Sequence, residues 1–566
     1  MDVRPPLAKP PGSLWMSLSV AILMVGTVLL SLVYLWPSYL EFPMDDSYIH
    51  MVYAQNLADH GQLVFNSASE KGVGTTSLLW VLLLAAGHKG GLSVHLLVKL
   101  LGVGSLAAVG IGLYLLLRPI WPPRLALAAA LLVSLSGNML WFALSGMETM
   151  LFLALGILAL LLYREEKWPW LGAALGLLAL TRPEGLALVA ATLMVGLVRN
   201  GNTRRGLLTS GWICLLIAGP WFGYLLIRTG YLLPTSGIGK QLTAAIGVHF
   251  VLQRSGDLAW LGRFPALIYV GSWIVWLLEF TLGGMALPPP HLPIASLPGG
   301  ADYSFSIWAV PGWGLVLVLL LGALREMGPP RAWRHWLPDR MRRPLLVLVT
   351  WAILHNLAYI VFLPVPGTAS RYGALNHIVL WVALAAGIYS FRRHPRVMIG
   401  LGAGLAVLGL ANTIYWNGVY DANLDHMVNV RIAAARFLRE AIDPEEPCAA
   451  SDIGALRYHS RRPILDLGAL LEPSAKEWFE KGAVDEFLIQ YGVTCVVLPG
   501  RAGAADDGWF DFAQIMGLTT SPLLELDMLR AFEIDRDRWL KGYLPTSNYQ
   551  ASVAVYRISR KLLPAE

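Results

Sequence analysis

Two adjacent carboxylates, Asp45 and Asp46, open the stretch DDSYIHMVYAQNLADHG (45–61), just after the first long apolar run. An ionised acid beside a bilayer is costly to desolvate, so it is hydrated, paired or functional. A positioned carboxylate can take the proton of an attacking hydroxyl. It can also serve a helix start, where acids favour the macrodipole and cap free N–H groups. The stretch reads as such a helix, with Gly61 as its stop. Neighbouring helical residues point about 100° apart, so one acid can cap while the other faces a cavity. His50 and Tyr53 stand at helical spacing from Asp46 and are placed to line the same face. Taken alone, His50 is more simply a packed or solvated histidine.

The other chemistry-bearing residues occupy short loops between apolar runs. Glu70 and Lys71 precede GVGTTS (72–77), which carries Thr75 and Thr76. Glu148 lies in SGMET (145–149), and Arg182 and Glu184 in TRPEG (181–185). Lys240 lies in LPTSGIGKQ (233–241), and Arg371 and Tyr372 in GTASRYG (367–373). Each has a plain structural alternative. Arg182 and Glu184 can pair with each other, Glu148 can cap a helix beginning at Met150, and Arg371 can snorkel to the interface. Together, acids and cations converge on one membrane face. A site that removes a proton and stabilises an anionic phosphate needs that mixture.

The elements that must position them are membrane helices. Hydrophobic residues make up 56% of the 566, and mean hydropathy is +0.56. Charged residues make up 14%, against about 25% in soluble proteins. Successive apolar windows of about 18 residues or more can each cross a hydrocarbon core of roughly 30 Å. The 22 Trp suit interfacial belts. The net charge of +6 is spread over short basic loops, a positive-inside pattern that speaks against nucleic-acid binding.

Arg4 and Lys9 precede the first run and no small-residue cleavage site follows it. The run therefore reads as a retained anchor with a cytoplasmic N-terminus. The basic loops REEK (164–167), RNGNTRR (199–205), REMGPPRAWRHWLPDRMRR (325–343) and RRHPR (392–396) then all fall inside. The expected architecture is a polytopic α-helical membrane protein with about eleven transmembrane helices, one of them the single span 125–142. The segments 75–87 and 266–287 are expected as interfacial or re-entrant. Residues 1–420 form the membrane domain, with outer-face loops at 37–92 and 230–304. From 421 to 566 charge becomes frequent, and a soluble extracytoplasmic α/β domain is expected. There VNVRIAAARFLREAI and DEFLIQYG read as helices, and PCAASDIGALRY, RPILDL, VTCVVLP and ASVAVYRI as strands. Asp452 and Asp466 there read first as turn caps. Cys448 and Cys495 share this domain, as either a disulfide or two buried thiols.

The order DDSYIHMVYAQNLADHG, EKGVGTTSLLW, SGMETMLF, TRPEGL, GYLLPTSGIGK, SRYG and ASDIGALRYHSRRPILDLGAL resembles the GT-C superfamily of polyprenyl-phosphate-dependent glycosyltransferases. Within it the chain looks most like the cell-wall arabinofuranosyltransferase group. The match spans most of the chain and is weakest at 240–345. Thr235 follows Pro234 where relatives often carry Asn. The resemblance implies inverting transfer of a sugar, arabinofuranose being one candidate, from a polyprenyl-phosphate donor to a glycan or other acceptor hydroxyl outside the plasma (inner) membrane. Asp45 or Asp46 would be the general base. Lys240, Arg371 and Tyr372 would hold the donor phosphate. His50, Tyr53, Thr75, Thr76, Glu148, Arg182 and Glu184 would line the cavity. Some relatives hold a divalent cation near this acid, so Mg, Mn or Ca bound by Asp45 or Asp46 is also implied. A transporter or lipid-linked flippase is the alternative, with His355 and Asn356 as mid-span polar groups.

Overall fold

A computed structural model describes residues 13–36, 40–67, 70–197, 201–242, 309–327, 339–363, 367–501, 511–546 and 550–561, with Leu267, Val270, Gly271, Trp273 and Ile274. Arg4, Lys9 and most of 266–287 lie outside the described residues.

The first half is helical: α1 (Ser13–Leu35), α2 (Asp45–His60), α3 (Leu78–Lys89), α4 (Val94–Leu117), α5 (Pro123–Ser134), α6 (Gly137–Leu144), α7 (Thr149–Arg164), α8 (Trp168–Thr181), α9 (Leu186–Leu197) and α10 (Gly201–Thr229). Then follow α11 (Ala309–Met327), α12 (Asp339–Phe362), α13 (Ala374–Ser390) and α14 (Pro395–His426). Among the described residues, six helical stretches are long and apolar enough to cross a bilayer, or seven if α5 and α6 count as one span. Helices α7, α8 and α9 have 16, 14 and 12 residues. At 1.5 Å per residue they reach only about 18–24 Å, and they are held by neighbouring helices rather than by lipid thickness. On α1, Leu18, Ile22, Val25, Leu29 and Leu32 are exposed at helical spacing, a lipid-facing stripe.

The stretch expected as one span at 125–142 is instead two helices bent by 53°. The break has partners of its own. Ser136 Oγ donates to the Val133 carbonyl at 3.0 Å, and the Gly137 N–H is taken by Asn412 Oδ1 at 2.9 Å. Close helix approach is set by small residues: a β-carbon on Gly102 would stand 1.9 Å from the Ala143 carbonyl oxygen.

The last membrane helix does not stop at the expected domain boundary. It passes through a π-turn at Met427–Ile432 into α15 (Ala433–Ala441). The C-terminal domain follows, with β1 (Cys448–Ala450), α16 (Gly454–Ser460), β2 (Ile464–Asp466), α17 (Ser474–Glu480), α18 (Val484–Gln490), β3 (Cys495–Pro499), α19 (Phe512–Ile515), β4 (Leu524–Glu533), α20 (Arg536–Thr546) and β5 (Ser552–Arg560). Its sheet has the order β2-β1-β3-β5-β4, with β2, β1 and β3 parallel and β5 antiparallel to β3 and β4. Two expectations need correction. Only the first residues of PCAASDIGALRY are strand, and GALRYHS is helix α16. Strand β4 was not anticipated, because its burial does not alternate regularly. Cys448 and Cys495 are register partners on adjacent strands, buried as free thiols.

Candidate active site where the helix bundle meets the C-terminal domain

Helix α2 starts at Asp45 after extended Met44 and stops at Gly61, whose φ of 68° is left-handed. Its first turn splits the two acids. Asp45 is buried and turned to the C-terminal domain, accepting the N–H of Gly454 at 2.7 Å and of Ala455 at 2.8 Å. It thus caps α16 rather than its own helix. Burial pushes its carboxyl up to about 6, against the nearby Arg431 guanidinium and the two N–H groups. Asp46 points the other way, with 38% of its side chain exposed, and pairs with Arg371. Burial alone would raise its carboxyl. The Arg371 and Lys240 charges outweigh that and hold it below the ordinary value.

The turn GTASRYG aims Arg371. Ala369 and Ser370 both have left-handed φ, 56° and 57°, a conformation that costs non-glycine residues about 1 kcal/mol or more each. The Arg371 guanidinium also donates to the Tyr372 hydroxyl at 3.1 Å. Three cations surround the Tyr372 ring: Lys240 at 4.6 Å, Arg371 at 4.8 Å and Arg182 at 4.9 Å from its centre. Among the described residues Lys240 makes no ion pair.

Behind this face lies a buried relay of charge. Arg182 donates to Glu184 at 2.5 Å and to Glu148 at 2.8 Å, and the Tyr359 hydroxyl donates to Glu184 at 2.5 Å. Glu148 does not cap α7; its other oxygen lies 3.5 Å from His50 Nε2. His50 Nδ1 is 3.0 Å from Thr75 Oγ1. Burial lowers the His50 pKa, against the Glu148 and Asp46 carboxylates, which favour its charged form. Ser47 ties α2 to the SGMET turn through the Ser145 carbonyl at 2.6 Å.

Asp46, His50, Thr76, Arg182, Lys240, Arg371 and Tyr372 line one cavity, with Ile49, Gly74, Met147, Ser236 and Leu470. Its volume is about 20 Å³, room for a single water. Thr75, Glu148 and Glu184 stand behind its wall. Asp45 and Tyr53 are not brought in: the Tyr53 hydroxyl instead accepts the Gly74 N–H at 2.9 Å.

The roof residue Leu470, from the C-terminal domain, could not be found by sequence reasoning, because no local pattern marks it. Asp466 holds its turn, accepting the N–H groups of Gly468, Leu470 and Leu471. Thr235 pins it, accepting from the Val73 N–H at 2.8 Å and donating to the Leu470 carbonyl at 2.6 Å. Buried Lys99 is another unanticipated group. It donates to the Glu41 and Leu144 carbonyls and to the Tyr420 hydroxyl.

The acids do not suit a divalent cation. Both Asp45 oxygens accept backbone N–H groups, and Asp46 faces cations rather than further carboxylates. Among the described residues no group of three His, Cys, Asp or Glu side chains is placed to hold a metal.

Residues 418–556 match a family described as "Domain of unknown function (DUF8728)". No curated protein sequence matches the chain. Among solved structures, the crystal structure of ArnT from Cupriavidus metallidurans bound to undecaprenyl phosphate is similar, with a TM-score of 0.51 and 14% identity. That match covers 96% of this chain and 98% of ArnT. The chain has the ArnT fold. The likeness takes in the membrane bundle and the C-terminal domain together, the polytopic architecture that the GT-C resemblance implies. The arabinofuranosyltransferase AftD from Mycobacteria is also similar, with a TM-score of 0.40 and 13% identity, over 97% of this chain and 40% of AftD.

Proposed function

We propose that the chain is an inverting membrane glycosyltransferase that moves a sugar from a polyprenyl phosphate to a hydroxyl acceptor, with Asp46 as general base. One observation carries this: the Asp46 carboxylate and Lys240, which makes no ion pair among the described residues, share a cavity with Arg371 and Tyr372 at the end of a membrane bundle. The undecaprenyl phosphate bound to ArnT supports the donor class.

In the reaction, the acceptor oxygen attacks the anomeric carbon from the face opposite the phosphate. The bond from that carbon to the phosphate oxygen breaks with its electron pair, and the hydroxyl proton passes to Asp46. Such a base contributes about 10²- to 10⁴-fold. Lys240 and Arg371 hold the departing phosphate, Arg371 through two parallel N–H contacts. Arg371 pairs with Asp46 across the cavity. A phosphate that draws the guanidinium away leaves the carboxylate free for the acceptor, so donor binding prepares the base. Arabinofuranose is one candidate sugar. The inner membrane, with the C-terminal domain on its outer side, is the proposed location.

A transporter would need a polar path along the spans. His355 and Asn356 do not provide it: His355 Nε2 lies 2.6 Å from the Tyr372 carbonyl oxygen, and Asn356 pairs with Asn376.

The test is sugar transfer by the purified protein in lipid nanodiscs from a panel of polyprenyl-phosphate sugars, beside Asp46→Asn. Turnover of one donor, lost in the variant, supports the proposal and names the sugar. If the variant matches wild type, or no donor is turned over, the proposal fails and lipid-linked sugar flipping is measured instead.

A further inference from the structure

We propose that Asp45 is a positioning residue through which the C-terminal domain holds the first turn of α2 and so aims Asp46; this rests on the reading of Asp46 as base. Two independent features of the contact carry it. The Asp45 carboxylate takes the first two N–H groups of α16, at 2.7 and 2.8 Å. Gly454 also packs against the backbone of the same turn: a β-carbon there would stand 2.2 Å from the Asp45 carbonyl oxygen. The two residues are 409 positions apart in the chain.

The charged groups around Asp45 complete the clamp. Arg431, on the π-turn that joins the last membrane helix to the C-terminal domain, lies 4.0 Å from Asp45 and 2.9 Å from Asp452. Further along α2, the Tyr48 hydroxyl donates to Glu41 at 2.7 Å, and Tyr48 packs on Tyr458 and His459 of α16.

Consecutive residues on a helix are tied rigidly, about 100° apart. Asp45 is fixed by the C-terminal domain. Asp46 faces Arg371, Lys240, His50 and Arg182 across the cavity. Rotation or withdrawal of the first turn therefore moves Asp46 against Arg371. The C-terminal domain thereby sets the geometry of Asp46 through its neighbour Asp45.

The experiment uses the full chain in nanodiscs, with Gly454→Ala, Asp45→Asn, Asp45→Ala and a control, Ser521→Ala. Ser521 is buried elsewhere in the C-terminal domain and bonds Asp485 at 2.6 Å. Gly454→Ala is expected to lower kcat at least 10-fold with donor KM changed less than 3-fold. It should also move the acid limb of kcat/KM to higher pH, because a displaced Asp46 loses Arg371. Asp45→Asn, which keeps one acceptor oxygen, should retain more activity than Asp45→Ala. Hydrogen exchange of the amides of residues 49–52 should quicken at least 10-fold in Gly454→Ala and not in Ser521→Ala. The proposal is overturned if Gly454→Ala keeps wild-type kcat, or if it and Ser521→Ala lose activity alike with the acid limb unmoved. If wild type turns over no donor, the functional reading has failed by itself. The exchange rates then decide the clamp, and unchanged rates overturn it.

Discussion

Replacing Asp46 by Asn removes a charge and a proton acceptor while keeping the shape of the side chain. If Asp46 is the base, kcat falls about 10²- to 10⁴-fold, a rise in the barrier of about 3–5 kcal/mol. Folding should be affected far less. Asp46 is 38% exposed, and the Asn amide oxygen can still accept from Arg371, so the lost ion pair is worth about 1 kcal/mol. Donor affinity gives the sharper signature. In wild type the donor phosphate competes with the Asp46 carboxylate for Arg371, whereas in the variant it competes only with a neutral amide. The dissociation constant for a non-transferable polyprenyl-phosphate analogue should therefore stay the same or tighten. The assay pairs single-turnover transfer with direct binding of the analogue to protein in nanodiscs. Transfer above a tenth of wild type refutes the base assignment. Weaker analogue binding refutes the competition between Asp46 and phosphate for Arg371.

Arg371→Gln removes the larger of the two cationic influences that oppose burial at Asp46, leaving Lys240. The folded carboxyl is then harder to ionise, so the acid limb of kcat/KM moves to higher pH and the defect is deeper at pH 6 than at pH 8. Arg182→Gln leaves Glu148, with no exposed surface, and Glu184 without their shared guanidinium. Breaking such a buried set costs about 3–5 kcal/mol, visible as a lower midpoint of thermal unfolding in detergent. Thr235→Val orphans the Val73 N–H and the Leu470 carbonyl. Each lost partner costs about 1–3 kcal/mol, and proteolysis within 233–241 should become faster.

Much of the site was legible because its groups are rare in their surroundings. An ionisable residue beside a membrane span stands out, and six of the residues picked for that reason, Asp46, His50, Arg182, Lys240, Arg371 and Tyr372, line one cavity. What could not be read was the division of labour between two adjacent acids. Helical geometry required them to point apart, but not which one turned to Arg371. Neither the α16 N-terminus nor Leu470 carries a local signal, since each acquires its meaning only by meeting residues some 230 to 410 positions away.

By itself the sequence determined the class of the protein. Apolar windows and their basic loops require a membrane bundle, because unpaired backbone polar groups and scattered charge cannot lie in lipid. It determined the helix of Asp45 and Asp46, with its acidic start and glycine stop, because those are local preferences. Only the tertiary structure decided that the span expected at 125–142 breaks, since the partner of the Gly137 N–H is Asn412, on another helix. It decided that Glu148 pairs with Arg182 instead of capping its helix. It also decided which acid is held by the backbone N–H groups of α16 and which faces Arg371. Pairing of buried charge depends on which side chains the fold brings within hydrogen-bond reach, and that is a property of packing rather than of any one stretch of chain.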